Sequence, residues 1–258
     1  MKKVLTIAGS DSCAGAGIQA DLKTFYAHKV YGLTAITSIT AQNTVEIKEA
    51  EGISSSLFEK QLQAIAEDIQ IDGVKIGMLY NREIVKSTIK FLKNNPHLNN
   101  IVVDPVMISS TGKKLLKEDA IQLMQEELFP LADLVTPNIS EASFLSDIKI
   151  NNKKDVKKAA KILVEKGIKR VLIKGGHLEE QFMATDVYYD NEVYILYKMP
   201  RISSKNTHGT GCTFSSAIAA QLAKGNSMSC SIQKAKEYVS RAIEESFSIG
   251  KGSGPLNH

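Results

Sequence analysis

The sequence predicts an α/β fold in which a mainly parallel central sheet lies between helices on both of its faces. Short apolar runs, typical of strands that are buried on both faces, alternate with helical patterns along the chain. A small antiparallel edge is predicted where residues 184–189 and 193–199 flank Asp190-Asn191 as a hairpin. No Pro/Gly/Ser-rich linker and no internal repeat divides the chain, so residues 1–258 are expected to form one domain.

The first half of the chain alternates strand and helix. Residues 3–8 form a compact apolar run, and residues 17–28 follow with Ile18, Leu22, Phe25 and Tyr26 on one helical face. Further strands are expected at 33–41, 73–77 and 101–104. Further helices are expected at Ser55–Asp68 and 81–94, and the second of these stops before Pro96.

The second half repeats the alternation. Helices are expected at 118–128 and 152–165, the latter opened by Asn152 as N-cap with Asp155 three residues later. Brief strands are expected at 134–135 and 170–174. Two helices, 210–223 and 227–249, close the chain.

Composition and charge exclude several classes of protein. The formal net charge is +4, and the lysines lie near acidic residues on helical patterns, which is typical of solvated faces rather than of a nucleic-acid interface. The apolar run after Met1 is too short for a signal peptide, and no run approaches membrane-spanning length. The three cysteines are widely spaced, which argues against disulfides or a zinc site and is consistent with a cytoplasmic protein.

Polar clusters follow the predicted strands. Because ligands bind beyond the carboxyl ends of parallel strands, these clusters predict a crevice at one edge of the sheet. The clusters are Gly9-Ser10-Asp11, Gln42-Asn43-Thr44, Gly77-Met78, Asp104-Pro105, Thr136-Pro137-Asn138 and Lys174-Gly175-Gly176-His177.

The start of the helix at 210–223 predicts an anion site. Gly209 and Gly211 let the backbone approach a ligand closely, and the N–H groups of the first turn, from Thr210 onward, favour negative charge. Cys212 lies at the same helix start, where a thiol pKa tends to fall. The residues alone also admit a plain chain reversal for the glycines and a packing role for Cys212.

An anion site beside a potential base suggests phosphoryl transfer, which needs charge neutralisation, a metal and a positioned acceptor. Lys174 can offset nucleotide phosphate charge, and Asp104 and Glu141 can hold Mg²⁺. Cys212 can accept the proton of the acceptor. From the residues alone a capping box with Asn138 is the favoured role of Glu141. Likewise, Asp104 can simply end a strand, and Lys174 can be a surface turn residue.

Two common nucleotide motifs are absent. Residues 9–17 follow a strand and open a helix, but the glycines at 9, 15 and 17 do not have the G-x-G-x-x-G spacing. The Walker motif G-x-x-x-x-G-K-[ST] is also missing. The carboxylate of Asp11 can instead bind a polar acceptor.

The chain resembles the hydroxymethylpyrimidine/phosphomethylpyrimidine kinases of thiamine biosynthesis, which belong to the ribokinase-like superfamily. The resemblance covers nearly the whole chain, and its motifs are specific in combination. They are Ala8-Gly9-Ser10-Asp11-Ser12, residues 15–23, Thr40-Ala41-Gln42-Asn43-Thr44, Val103-Asp104-Pro105-Val106-Met107, residues 136–142, residues 174–177, residues 208–213 and the tail 250–258.

The resemblance implies a ribokinase-like three-layer sandwich that uses ATP and Mg²⁺ to phosphorylate 4-amino-5-hydroxymethyl-2-methylpyrimidine and then its monophosphate. It places Gln42 against the pyrimidine, and an amide can donate to a ring nitrogen and accept from an exocyclic amine. It implies that Cys212 is the catalytic base and that Glu141 organises magnesium. Further expected contacts are Asp21, Met78 and Gly9 with the substrate, and Lys174, Asp104 and Thr207 with ATP.

Several alternatives stay open at this point. Pyridoxal or pyridoxine kinase activity is the second hypothesis, and a non-catalytic sensor of pyrimidine or nucleotide is the third. Ala14 stands where many relatives have glycine, which leaves the conformation of that loop in question. The segment 109–114 is a candidate flap, and a homodimer is the expected assembly.

Overall fold

The structure of the chain is a computed structural model, and it describes residues 1–107, 116–175 and 182–258. One nine-stranded sheet has the order β3-β2-β1-β4-β5-β6-β7-β8-β9. The strands are β1 Lys3–Asp11, β2 Tyr31–Gln42, β3 Ile47–Gly52, β4 Gly73–Ile76, β5 Ile101–Val103, β6 Leu134–Val135, β7 Val171–Ile173, β8 Met183–Tyr189 and β9 Tyr194–Pro200. The α-helices are α1 Gly17–Ala27, α2 Ser55–Asp68, α3 Arg82–Asn94, α4 Glu118–Leu123, α5 Ile139–Ser146, α6 Lys153–Glu165, α7 Thr210–Ala223 and α8 Met228–Glu244.

The sheet is parallel in its centre and antiparallel at both edges. Strands β2, β1, β4, β5, β6 and β7 pair in parallel. Strand β3 pairs antiparallel with β2, and β8 and β9 add the predicted hairpin beyond β7. The prediction of a mainly parallel α/β sheet is confirmed.

Alternation along the central strands creates two apolar cores. Val4 and Val102 point to the core built with α1, α7 and α8, while Leu5 and Val103 point to the core built with α2, α3, α4 and α6. Successive strand residues face opposite sides of a sheet, so each short apolar strand contributes to both cores. The result is the predicted three-layer arrangement.

Besides helix α5, which was not among the predicted helices, the structure differs from the sequence prediction at three elements. Strand β3 was not predicted, because Ile47–Gly52 carries two glutamates and a lysine and lacks an apolar run. It forms a strand through its antiparallel hydrogen bonds with β2. The helix predicted at 118–128 is α-helical only to Leu123 and continues as a π-helical turn, Met124–Leu128.

The third difference is at the end of the chain, where α8 stops at Glu244 and not at residue 249. Residues that follow are drawn back to the segment before α7: Ser246 hydrogen-bonds Ser204, and Ser248 lies 3.3 Å from the amide nitrogen of Asn206. These tertiary contacts override the local helical pattern.

Within the described residues, no helix is both long enough and apolar enough to cross a bilayer.

Candidate active site

The predicted polar clusters meet at one edge of the sheet. Asp11 and Gln42 end β1 and β2, and Asp104 and Lys174 follow β5 and β7. Because these strands are parallel, their carboxyl ends share one edge. Gly176 and His177 of the last cluster, and the candidate flap at 109–114, lie outside the described residues.

Lys174 and Asp104 form an ion pair against the start of α7. The ammonium of Lys174 lies 2.6 Å from Oδ1 of Asp104, which is itself buried. A Cβ added at Gly211 would lie 3.3 Å from Nζ of Lys174 and 3.4 Å from Oδ2 of Asp104. Burial opposes the charge on Lys174, but the neighbouring carboxylates of Asp104 and Glu141 outweigh it and raise the pKa of the ammonium. The absence of a side chain at 211 therefore brings the helix start next to this pair.

Glu141 fills the capping role that its spacing predicted. Its Oε2 accepts from the backbone N–H of Asn138 at 2.8 Å, and Oδ1 of Asn138 accepts from the N–H of Glu141 at 2.9 Å. Burial, reinforced by the charge of Asp104, raises the pKa of Glu141 to about 7, although Lys174 opposes the shift.

The acidic groups fit the chemistry of magnesium. Asp104 and Glu141 are both buried and influence each other electrostatically. Among the described residues no cluster of three or more His, Cys, Asp or Glu side chains has a metal-binding arrangement. Magnesium is commonly held by one or two carboxylates with waters and phosphate oxygens completing its shell, so a two-carboxylate set suffices.

Helix α7 begins with Gly209 in the left-handed region, at φ 84°, and no side chain caps this helix start. A Cβ at Gly209 would overlap the carbonyl oxygen of Gly15, so the loop before α7 and the loop before α1 interlock. The hydroxyl of Thr210 donates to the carbonyl of Thr207 at 2.7 Å. Because no side chain caps α7, the backbone N–H groups of its first turn have no side-chain acceptor, and the anion site expected there stays a prediction.

Cys212 lies in the first turn of α7 and is half-buried. Burial raises the pKa of its thiol to about 11, and the nearby ammonium of Lys75 opposes this. The expectation that the helix start lowers this pKa is wrong, because loss of water around the thiolate outweighs the favourable charges.

Asp21 lies beneath the cleft. It is fully buried, and its carboxylate accepts from Thr6 at 2.5 Å, from Ser216 at 2.6 Å and from Lys75 at 2.9 Å. These partners are all internal to the protein, and the direct substrate contact expected of Asp21 stays a prediction.

Gly9 and Met78 lie together at the carboxyl ends of β1 and β4. A Cβ at Gly9 would lie 2.6 Å from Cε of Met78 and 2.8 Å from Oγ of Ser38. Gln42 lies at the end of the neighbouring strand β2, with Nε2 3.2 Å from Nε2 of His208. Gly9 and Met78 are thus in direct contact and Gln42 ends the adjacent strand, while the contacts of these residues with a substrate stay a prediction.

Thr207, expected on the ATP side, is exposed just before α7. Its backbone N–H donates to Oγ of Ser253 at 3.2 Å, and the hydroxyl of Ser253 donates to the carbonyl of Lys205 at 2.9 Å. The glycine-rich tail thus supports the loop that leads into α7, a connection that sequence reasoning did not identify.

Sequence reasoning also missed the partnership of Asp11 with His208. Oδ2 of Asp11 lies 2.9 Å from Nε2 of His208, and the carboxylate also accepts from the N–H groups of Cys13, Gly15 and Ala16. Internal donors thus hold the Asp11 carboxylate, chiefly at Oδ2, and the suggestion that Asp11 binds a polar acceptor stays a prediction. The only hint in the sequence was the glycine at 15, which leaves room for the His208 ring.

Comparisons of the sequence with a family model and with known proteins both find phosphomethylpyrimidine kinases. The sequence model of the phosphomethylpyrimidine kinase family matches residues 11–257. The hydroxymethylpyrimidine/phosphomethylpyrimidine kinase of Bacillus subtilis is 42% identical over 256 residues, which are 99% of this chain and 94% of the relative.

Two solved structures extend the comparison. The ADP complex of Bacillus subtilis pyridoxal kinase superposes with a TM-score of 0.92 at 40% identity, covering 100% of this chain and 97% of that one. Phosphomethylpyrimidine kinase from Clostridium difficile superposes with a TM-score of 0.83 at 42% identity, covering 94% of this chain and 100% of that one. The chain therefore belongs to the phosphomethylpyrimidine kinase family and is a phosphotransferase.

Proposed function

We propose that this member of the phosphomethylpyrimidine kinase family transfers the γ-phosphoryl group of ATP to 4-amino-5-hydroxymethyl-2-methylpyrimidine, and then a second one to the monophosphate. The family match and the full-length relatives support this pathway and reaction. The ADP complex of the pyridoxal kinase supports a nucleotide as co-substrate.

One observation carries the chemical argument. The uncapped start of α7 places Gly211 next to the Lys174–Asp104 pair and Cys212 in the same helical turn. Phosphoryl transfer relies chiefly on positioning and on charge stabilisation, which backbone donors and an ammonium group supply. Gly209, Thr210, Gly211 and Cys212 are therefore the proposed catalytic segment.

Asp104 and Glu141 are the proposed magnesium residues. When bound, Mg²⁺ would neutralise developing charge between the β- and γ-phosphates. Lys174 and Thr207 are proposed to contact ATP from the two sides of the α7 start.

Cys212 is the proposed general base for the acceptor hydroxyl. A raised thiol pKa, about 11 in the unliganded protein, makes the thiolate scarce but strongly basic. In a loose transition state the proton leaves late, so a base that accepts it only as the bond to phosphorus forms is sufficient.

Gln42, Met78 and Gly9 are the proposed acceptor residues. The amide can pair with the ring nitrogen and the exocyclic amine, while Met78 supplies an adaptable apolar contact beside Gly9. For the second step the monophosphate must shift by about one phosphate length, so that its phosphate oxygen takes the place of the hydroxyl beside the α7 start.

Turnover with both acceptors tests the proposal. ³¹P NMR of the purified protein with ATP and Mg²⁺ should show the pyrimidine monophosphate first and the pyrophosphate afterwards. Failure to phosphorylate the monophosphate would remove the second activity, and failure with both acceptors would remove the proposed function.

Pyridoxal is the second candidate acceptor, because a pyridoxal kinase superposes on nearly the full chain. Parallel measurement of kcat/KM on the two rings decides between them. We expect the pyrimidine to give the larger value, and a larger value for pyridoxal would reverse the assignment.

The assembly and location are also proposals. We infer that the protein is a cytoplasmic homodimer and that residues 1–258 of each copy form one domain. One continuous sheet from β3 to β9 supports the single domain, and the family resemblance supports the dimer. Light scattering during size exclusion tests the assembly, for which a monomer at working concentration is the contrary result.

A further inference from the structure

The hydrogen-bonding environment of Gln42 restricts which way round its side-chain amide can lie. One end of the amide is 3.2 Å from Nε2 of His208, and the other is 3.4 Å from Oγ1 of Thr40. The oxygen and nitrogen of an amide have nearly the same shape, so the partners decide which atom occupies which end.

The His208 end of the amide faces a donor. Oδ2 of Asp11 lies 2.9 Å from the same Nε2 of His208. Asp11 also accepts from the backbone N–H groups of Cys13, Gly15 and Ala16, and an ionised carboxylate can only accept. These donors, with His208, hold the pKa of Asp11 below its usual range although burial opposes the charge. Nε2 of His208 therefore carries a proton, in the neutral ring as well as in the charged one. This single proton is shared between Asp11 at 2.9 Å and the nearer end of the Gln42 amide at 3.2 Å, so that end of the amide must be an acceptor.

The Thr40 end of the amide faces an acceptor. Oγ1 of Thr40 lies 3.0 Å from the carbonyl oxygen of Ser10, and a hydroxyl has a single proton to donate. That proton goes to the Ser10 carbonyl, so only a lone pair of Oγ1 is left for Gln42. An amide oxygen at this end would face another lone pair, and an amide nitrogen at the other end would face the N–H of His208. A single half-turn of the amide removes both conflicts.

We propose that His208 is a positioning residue that fixes the Gln42 amide with Oε1 toward His208 and Nε2 toward Thr40, and thereby sets which edge of the acceptor ring is selected. The amide then keeps one N–H and one lone pair for a ligand. A planar ring that carries an exocyclic amine next to a ring nitrogen complements this pair, with the amine on the Oε1 side. This inference rests on the proposed acceptor role of Gln42.

The surrounding loops make this geometry rigid. A Cβ at Gly15 would overlap the ring of His208, so the ring packs directly on the glycine backbone. The backbone N–H of His208 also donates to the carbonyl oxygen of Gly254 at 3.1 Å. Because both the ring and the backbone of His208 are held, Nε2 of His208 has a defined position relative to the side-chain amide of Gln42.

Substitution of His208 by Phe tests the proposal, because Phe keeps a planar ring and removes the donor. We expect the KM for the aminopyrimidine to rise about tenfold while the KM for ATP stays within about twofold, the tenfold being the scale of one net hydrogen bond. Pyridoxal lacks an amine beside its ring nitrogen, so its kcat/KM should fall less and the selectivity should drop. H208Q, which retains an N–H donor, should recover most of the loss, and H97F at an exposed site should change nothing.

Two kinetic results would overturn the proposal. One is an unchanged acceptor KM and an unchanged selectivity in H208F. The other is a parallel rise of both KM values with a lowered Tm, which indicates a merely structural role.

A measurement without substrate separates this inference from the proposed function. ¹⁵N NMR of the histidine rings, with His208 assigned from H208F, should show that Nε2 of His208 carries a proton. A pyridine-like Nε2 would overturn the amide orientation even if the pyrimidine is phosphorylated. If Nε2 is protonated but the wild-type protein fails to phosphorylate the pyrimidine, the failure lies in the proposed function, and the selection of the ring edge falls with it.

Discussion

Lys75 and Asp21 form an ion pair that is fully buried, with Nζ of Lys75 2.9 Å from both carboxylate oxygens. Thr6 and Ser216 donate to the same carboxylate. The pair thus joins strands β1 and β4 to helices α1 and α7 at one point, and the Lys75 charge acts on the thiol of Cys212. We conclude that this pair holds the start of α7, the proposed catalytic segment, against the sheet.

Removing one partner of the pair should destabilise the protein strongly. Lys75→Met leaves the Asp21 carboxylate buried without its cation, which costs about 3–5 kcal/mol in the free energy of unfolding. Urea denaturation measures this loss. The double variant K75M/D21N should recover much of it, since the asparagine oxygen can accept from one of the two hydroxyls and its amide nitrogen can donate to the other. A loss below about 1 kcal/mol for K75M alone would contradict the account.

Cys212→Ala should lower kcat by about 10²-fold or more, the usual scale for loss of a general base. Stopped-flow or coupled ATPase assays with the pyrimidine measure the effect. Cys230→Ala is the matched control, because Cys230 lies at the start of α8 and its thiol bonds only to Asn226 among the described contacts. Unchanged turnover in C212A, with chemistry as the slow step, would remove the assignment.

The pH dependence of turnover should follow the Cys212 thiol. The base must be deprotonated to act, and its pKa is raised to about 11, so kcat/KM for the acceptor should keep rising from pH 7 to pH 10. Cys212→Asp should flatten this rise, because a carboxylate is already ionised at pH 7. A wild-type plateau below pH 8 would show that another group, or a thiol with a much lower pKa, is the base.

Lys174→Ala should mainly weaken the use of ATP, because the ammonium beside Asp104 is the expected partner of nucleotide phosphates. We expect the KM for ATP to rise at least about tenfold, which corresponds to the ~1.5–3 kcal/mol of a charged hydrogen bond. Lys169→Ala, at an exposed site, is the control. If only the acceptor KM rose, the placement of the nucleotide would be wrong.

Magnesium activation should depend on the ionisation of Glu141. Its pKa is raised to about 7, so protons compete with the metal at lower pH, and the Mg²⁺ activation constant should rise up to about tenfold for each pH unit below 7. Above pH 7 the dependence should vanish. Titrations of Mg²⁺ at fixed ATP measure it, and chelation of the metal should stop turnover. In Glu141→Gln the pH dependence should be lost, and its persistence there would exclude Glu141 as the titrating group.

The sheet and much of the site were predictable from the sequence because their signals are local. Buried strands such as Ile101–Val103 are short apolar runs, and residues like Asp104 follow them directly. The capping box of Asn138 and Glu141 was also predicted, since it depends on a three-residue spacing. Ala14, which stands where many relatives have glycine, has a positive φ of 60°, so the loop keeps the backbone conformation that glycine favours.

What escaped prediction depends on contacts between distant residues. Gln42 and His208 are 166 positions apart, and no local pattern in either segment predicts that their side chains are in contact. The buried ion pair of Asp21 with Lys75, which lies on strand β4, was not predicted either. The thiol pKa of Cys212 was expected to fall because a helix start is visible in the sequence, whereas its burial is not.

The central claim is that the start of α7, the thiol of Cys212 and the amide of Gln42 face one ligand. A crystal structure with the pyrimidine and a non-hydrolysable ATP analogue tests this most directly. The account predicts the acceptor hydroxyl within hydrogen-bonding reach of Sγ of Cys212, the γ-phosphate over the N–H groups of Gly211 and Cys212, and the ring against Gln42. A ring bound away from Gln42, or a thiol separated from the hydroxyl by protein atoms, would contradict it.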